Sequence, residues 1–339
     1  MTDDTDAHAH LPGAPRRPFH GEVVAEVVRS GVVEGRHHGA VVALRPDGRT
    51  AWSTGSVDAW VFPRSCNKPL QAVAMVEAGL DLPPDLLALA CASHSGEPDH
   101  VDRVRAILAG AGLDESALQN PPDLPMQASV RDAALRAGAE PSRVLMNCSG
   151  KHAAMLATCV GNGWDTATYL DVDHPLQRHV ATVHSRLTGD PVAHVAVDGC
   201  GAPQLSASVT GLAWAFRCLA QATEGAEHRV AEAIRAHPAL VSGSTRDERA
   251  LLDAVPGAIG KLGAEGCYAV ALPDGHAVAL KIEDGSDRPR PVVMAAALER
   301  LGVLDLPGVD AAAVRATGRV TISGGGSVVG EVRPRLPAT

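Results

Sequence analysis

The stretch CYAVALPDGHAVALKI (267–282) decides the fold. Two apolar runs flank PDGH, whose Asp-Gly pair suits a tight antiparallel connection, so the segment reads as a β-hairpin. A similar pattern opens the chain: VVAEVV (23–28), AVVAL (40–44) and RTAWSTG (49–55) are β-rich, with a turn at PDGR (46–49). A last strand is expected at 327–332. Helical spacing dominates the middle. In 66–79, Leu70, Val73, Ala74, Val76 and Ala78 share a broad apolar face, Pro69 falls in the first turn and Gly79 is a natural stop. Further helices are expected at 84–91, 98–111, 129–137, 150–161, 176–187, 206–221, 226–236, 246–254 and 289–301, with one short strand at 194–199. Strands at both ends bracketing a helical middle imply an α+β fold whose terminal strands join in one antiparallel sheet.

The 339 residues are 45% hydrophobic and 20% charged, enough to bury a core without disulfides or a structural metal. A formal charge of −9 argues against a protein that binds nucleic acid by neutralising phosphates, and 3% aromatics leave few rings for base stacking. No run of 18 apolar residues exists, so no membrane-spanning helix is expected. The first 20 residues, with three prolines, three aspartates and no apolar segment, read as a disordered tail rather than a signal peptide. That reading implies a cytoplasmic, reducing location, in which seven cysteines with no CxxC are thiols or ligands. No phosphate-cradling glycine motif precedes a helix, so a nucleotide cofactor is unsupported.

Five short constellations could carry chemistry. In FPRSCNKP (62–69), Ser65 stands at an expected helix start and Lys68 one turn on, so the amine can reach the hydroxyl. Serine needs a base to become a nucleophile, and lysine serves only if burial or a nearby cation lowers its pKa. The plain alternative is an N-cap serine and a surface lysine. CASHSGE (91–97) packs Ser93, His94 and Ser95 into one loop, where Ser95 or Gly96 could cap the next helix. NCSGKH (147–152) puts Cys148, Lys151 and His152 within one turn, with Ser149 as a plausible cap. DGCGAP (198–203) is a tight glycine turn holding Asp198 and Cys200. Cys148 and Cys200 could jointly hold a borderline cation such as zinc, although their spacing matches no standard zinc motif. KLGAEG (261–266) places Lys261 at a sheet edge. The charged segment 29–39 between the first strands reads as a solvated turn.

Taken together, FPRS-x-x-KP-x-Q (62–71), SHSGE (93–97), NCSGKHAAML (147–156), DGCGAP (198–203) and K-x-GAEG (261–266) resemble the asparaginase II family, the Rhizobium etli-type or thermolabile L-asparaginases. The resemblance covers about residues 21–332, with VEGRHHGAVVAL (33–44) similar to the family's opening strands. It implies a single catalytic domain over 21–333 with a fold like serine β-lactamases and glutaminases. It also implies hydrolysis of L-asparagine to L-aspartate and ammonia. Ser65 with Lys68, and Ser93 with Lys261, match the family's two Ser–Lys pairs. Cys148, Lys151 and Cys200 match its zinc ligands, and Arg64, His152 and Asp198 its neighbouring site residues. The literal S-D-N motif of the β-lactamases is absent. The partners expected are a small-molecule substrate and a second copy in a homodimer, with no nucleic acid and no membrane.

Residue chemistry agrees with this resemblance. Two neighbouring lysines lower each other's pKa, and two serines then provide a nucleophile and a proton relay without a histidine. Backbone N–H groups at the start of the 66–78 helix and at 261–266 are expected to hold the oxyanion. Arg64 is expected to take the substrate's α-carboxylate, and Asp198 or Glu97 its α-ammonium. Zinc is not needed for the nucleophile. Other readings stay open: another small amide such as glutamine, a β-lactam, or an idle zinc- or metabolite-binding protein.

Overall fold

The computed structural model describes residues 19–337. The strands are β1 (Glu22–Arg29), β2 (Val32–Leu44), β3 (Thr50–Thr54), β4 (Trp60–Val61), β5 (Val195–Val197), β6 (Pro203–Leu205), β7 (Ala207–Ser208), β8 (Ile259–Gly263), β9 (Cys267–Ala271), β10 (Ala277–Ile282), β11 (Thr321–Gly324) and β12 (Ser327–Pro334). The helices are α1 (Lys68–Glu77), α2 (Pro84–Ala90), α3 (Pro98–Gly110), α4 (Ala128–Arg136), α5 (Ser149–Asn162), α6 (Pro175–Thr188), α7 (Val209–Gln221), α8 (Gly225–Ala236), α9 (Pro238–Val241), α10 (Asp247–Ala254), α11 (Arg290–Arg300) and α12 (Ala311–Thr317).

The α+β expectation holds. An antiparallel sheet runs β11-β12-β1-β2-β10-β9-β8, with β3 also on β2, so the two ends of the chain meet through β1 and β12. The 267–282 hairpin forms as β9 and β10, with Ala277 opposite Ala271. Every residue of β8 and β9 is buried, as is all of β10 except Lys281. Continuous apolar strands of this kind need cover on both faces. Here α7 runs along β10, β9 and β2, and α11 packs on β10, β12 and β1.

Several boundaries differ from the sequence reading. Segment 29–39 is a solvated turn only at its start: Ser30 and Gly31, both exposed and in the left-handed region, reverse the chain, and β2 takes up the rest from Val32. The first residues of β2, Val32–Glu34 in succession, are exposed on both sides, and burial begins at His37 and becomes continuous from Gly39 into the core. The helix expected from 206 begins at 209, because Pro203–Leu205 and Ala207–Ser208 pair with β5 and β4. Helix α12 and strand β11 lie outside any sequence expectation. Of the expected 1–20 tail, residues 1–18 lie outside the described residues, and Phe19 packs against the core. Among the described residues, no helix is long and apolar enough to cross a membrane.

Candidate active site

The site begins where β4 ends. Pro63 is followed by Arg64 in the left-handed region, φ 54°, which is uncommon for a residue other than glycine and turns the chain sharply. A 3-10 turn over Arg64–Asn67 carries Ser65, and α1 starts only at Lys68. The helix therefore opens three residues after Ser65, and neither the turn nor α1 has a side-chain cap. The N-cap alternative for Ser65 is excluded. Ser65 and Lys68 still lie one turn apart, with the Lys68 N–H donating to the Ser65 carbonyl.

Lys68 is 1% exposed, so the surface-lysine alternative is excluded as well. Its amine donates to Ser93 Oγ at 3.0 Å and to the Ala92 carbonyl. The hydrogen bonds thus pair the lysines differently from the sequence expectation. Ser93 is bonded to Lys68, whereas Lys261, wholly buried, donates to both oxygens of Glu248 at 3.0 and 3.1 Å. Burial pulls Lys261 down to about 8; the Glu248 carboxylate opposes this, while the Arg246 and Lys68 charges add to it. Strand β8, the sheet edge that carries Lys261, lies directly against the Ser65 turn. A Cβ on Gly263 would stand 2.4 Å from the Pro63 carbonyl, and Cys66 Sγ donates to the Lys261 carbonyl at 2.9 Å.

The 91–97 loop forms the next wall. His94 accepts from the Gly96 N–H at 3.2 Å and shares a 2.8 Å bond with Ser149 Oγ. Burial first, then the nearby His100 and Lys68, hold its pKa well down, so it is a neutral strut. Ser95 caps nothing: its hydroxyl donates to the Ser242 carbonyl, and Glu97 is the N-cap residue of α3. Ser149 likewise caps nothing and donates to the Val144 carbonyl. Glu97 accepts from the N–H and hydroxyl of Ser244, both at 2.9 Å, which makes it an anchor for the 242–246 loop.

The first turn of α5 and the turn between β5 and β6 meet beside this cluster. Lys151, 1% exposed, donates to Cys200 Sγ at 2.9 Å. Cys148 and Cys200 share a small apolar cluster with Met146, Ala202 and Leu170. The Cys200 pKa is held down, first by its hydrogen bond with Cys148 and also by the Lys151 charge. His152 Nδ1 lies 2.7 Å from the Tyr169 hydroxyl, and the buried ring also interacts with the Cys200 thiol. Asp198 joins Cys200, 3.6 Å from its sulfur, to Arg64, whose Nε donates to the carboxylate at 2.7 Å. The Lys68 charge reaches both Cys148 and His152, so the serine–lysine and thiol groups are neighbours. Among the described residues, no three His, Cys, Asp or Glu side chains come together as a metal-binding group. The donors that do meet are two thiols and a lysine amine, with the His152 nitrogen beside them. Outside Arg64 a cleft of about 400 Å³ is lined by Trp60, Phe62, Gln204, Glu265 and Lys281.

Two residues of this region escape sequence reading. Glu248 and Arg246 sit in TRDERA (245–250), which looks like an exposed helix start, yet Glu248 is fully buried and Arg246 donates to the Ser93 carbonyl at 2.9 Å. Nothing local in the sequence marks that burial.

An α+β protein with buried lysines and a hydroxyl gathered at the edge of an antiparallel sheet has the equipment of a hydrolase that needs no triad histidine. The model of the L-asparaginase II family matches residues 25–334, and the chain belongs to that family. Among curated proteins no match was found. Solved structures similar to the chain include Mglu in its native form, at 16% identity and TM-score 0.43 over 77% of this chain. The match spans 63% of the Mglu chain. A β-lactamase from Mycobacterium bovis matches at 16% identity and TM-score 0.37, covering 78% of this chain and 94% of its own. EstCE1, a hydrolase with promiscuous acyltransferase activity, matches at 14% and 0.42, covering 77% and 93%.

Proposed function

We propose that the protein hydrolyses L-asparagine to L-aspartate and ammonia, with Ser65 as nucleophile. The observation that carries this reading is the buried Lys68 amine, 3.0 Å from Ser93 Oγ and one turn from a serine that caps no helix. Lys68 takes the Ser65 proton as Oγ attacks the side-chain carbonyl carbon. The Cys66 N–H is engaged by the Pro63 carbonyl at 3.1 Å, so the Ser65 N–H is the oxyanion donor proposed on this turn. Collapse breaks the C–N bond, the Lys68 proton passes to the departing nitrogen, and ammonia leaves an ester on Ser65. Water, deprotonated by Lys68 through the Ser93 hydroxyl, cleaves that ester and returns the proton to Ser65. Ser93 is thus a relay on Lys68, and Lys261 a cation behind it. Arg64 takes the α-carboxylate and Asp198 the α-ammonium. Their mutual ion pair keeps both charges in place before substrate arrives.

Cys148, Lys151 and Cys200 are proposed as a zinc site. The donor chemistry fits, since thiolates suit zinc and the buried His152 ring lies beside the Cys200 thiol. Zinc, when bound, supplies a fixed positive charge beside Asp198. The attacking group comes from Ser65 and Lys68 in either case.

Ammonia release from asparagine, glutamine and other small amides tests the reading. Turnover of asparagine is expected at a kcat/KM at least tenfold above glutamine. One methylene is worth about 1–3 kcal/mol in a fitted pocket. Equal or greater turnover of glutamine makes it a glutaminase, and release from neither sinks the proposal.

A further inference from the structure

A buried carboxylate without a part in the steps above lies behind Lys261. Glu248 is in the first turn of α10 and fully buried. Its oxygens accept from Lys261 Nζ at 3.0 and 3.1 Å, and Oε1 also accepts the backbone N–H of Leu262 at 2.5 Å. A buried charge is costly unless it is paired and hydrogen-bonded, and here both conditions are met. Leu262 follows Lys261 on β8, so one carboxylate grips both the backbone and the amine of the same strand. The amine cannot swing without breaking bonds at a group that is itself fixed.

We propose that Glu248 is a positioning residue for Lys261, holding its ammonium within reach of Lys68 at the back of the Ser93 site. As regards catalysis, the proposal rests on the function given above. The surroundings show why a counter-ion is needed. The amine is faced by Lys68 from α1, by Arg246 from the residue preceding α10 and by Glu248 from α10; the Cys66 and Cys91 thiols also feel its charge. The Tyr268 hydroxyl on β9 is buried, has no partner among the described residues, and feels the Glu248 charge. Burial, Lys68 and Arg246 all favour losing the Lys261 proton, and Glu248 is the group that opposes them.

Two measurements test this. The first is stability. Lys261→Met leaves the carboxylate buried without its cation and lowers the denaturation midpoint; adding Glu248→Gln to that variant is expected to raise it again. A double variant no more stable than Lys261→Met overturns the proposal. The second is the pH profile of kcat/KM on asparagine. In Glu248→Gln the limb governed by Lys261, near pH 8, moves to lower pH by about one unit, and Glu248→Asp restores part of the shift. A limb that stays in place overturns the proposal, because a residue that only fills space leaves it there. Should the wild-type protein release ammonia from no amide, the function fails, and the stability measurement still decides the role of Glu248.

Discussion

Lys68, Lys151 and Lys261 are each at most 1% exposed, in a class of side chain that is almost never fully buried unless paired. Each amine has its own partner: a hydroxyl, a thiol and a carboxylate. The partners separate the proposed roles. A neutral hydroxyl leaves Lys68 free to exchange a proton, and a carboxylate holds Lys261 as a cation. A thiol makes Lys151 a companion ligand. Metal analysis of protein purified without chelator is expected to find zinc in the wild type. Zinc should be lost from Cys148→Ser/Cys200→Ser while turnover persists at high asparagine. Absence of zinc from the wild type, or retention in the double variant, removes the metal site. At this scale the sequence shows much. The i, i+3 spacing of Ser65 and Lys68 and the glycine turn at Asp198 and Cys200 are local patterns. The Lys68–Ser93 and Lys261–Glu248 bonds are not, since the latter pair depends on α10 packing its first turn inward.

The element that matters most to the site is β8. It is short, lies at the edge of the sheet, and has no distinctive pattern beyond its glycines, yet it is the floor against which the Ser65 turn rests. Gly263 is required there by the 2.4 Å that a Cβ would leave to the Pro63 carbonyl. Gly263→Ala is expected to push the strand off the turn, lowering stability by about 1–3 kcal/mol and kcat by more than tenfold. Denaturant midpoints and steady-state rates check it; an unchanged kcat shows that strand and turn are independent. The 267–282 hairpin was legible because its turn and both strands are contiguous. Strands β6 and β7 were not, since two- and three-residue strands take their identity from β5 and β4, which lie elsewhere in the chain.

Across the whole molecule, the terminal strands close one sheet while the intervening helices carry most of the site loops, so the site depends on the fold staying closed at both ends. Acid is expected to open it through His184. This side chain is 1% exposed, neither ring nitrogen has a partner among the described residues, and burial lowers its pKa to about 4, with Asp190 opposing. The unfolded chain binds that proton near pH 6.5 and the folded chain only near 4, so this contribution is complete above about 6.5 and lost as pH falls towards 4. The shift corresponds to about 3 kcal/mol. His184→Leu is expected to flatten the stability curve between those pH values, as read from urea midpoints; an unchanged slope assigns acid lability to other groups.

The central claim is covalent catalysis by Ser65. Asparagine turnover quenched in acid within milliseconds, followed by peptide mapping by mass spectrometry, tests it directly. The account predicts an aspartyl ester on the peptide carrying Ser65, absent in Ser65→Ala, which retains the fold but no turnover, and still present in Ser93→Ala. An ester on Ser93, or full turnover by Ser65→Ala, contradicts it.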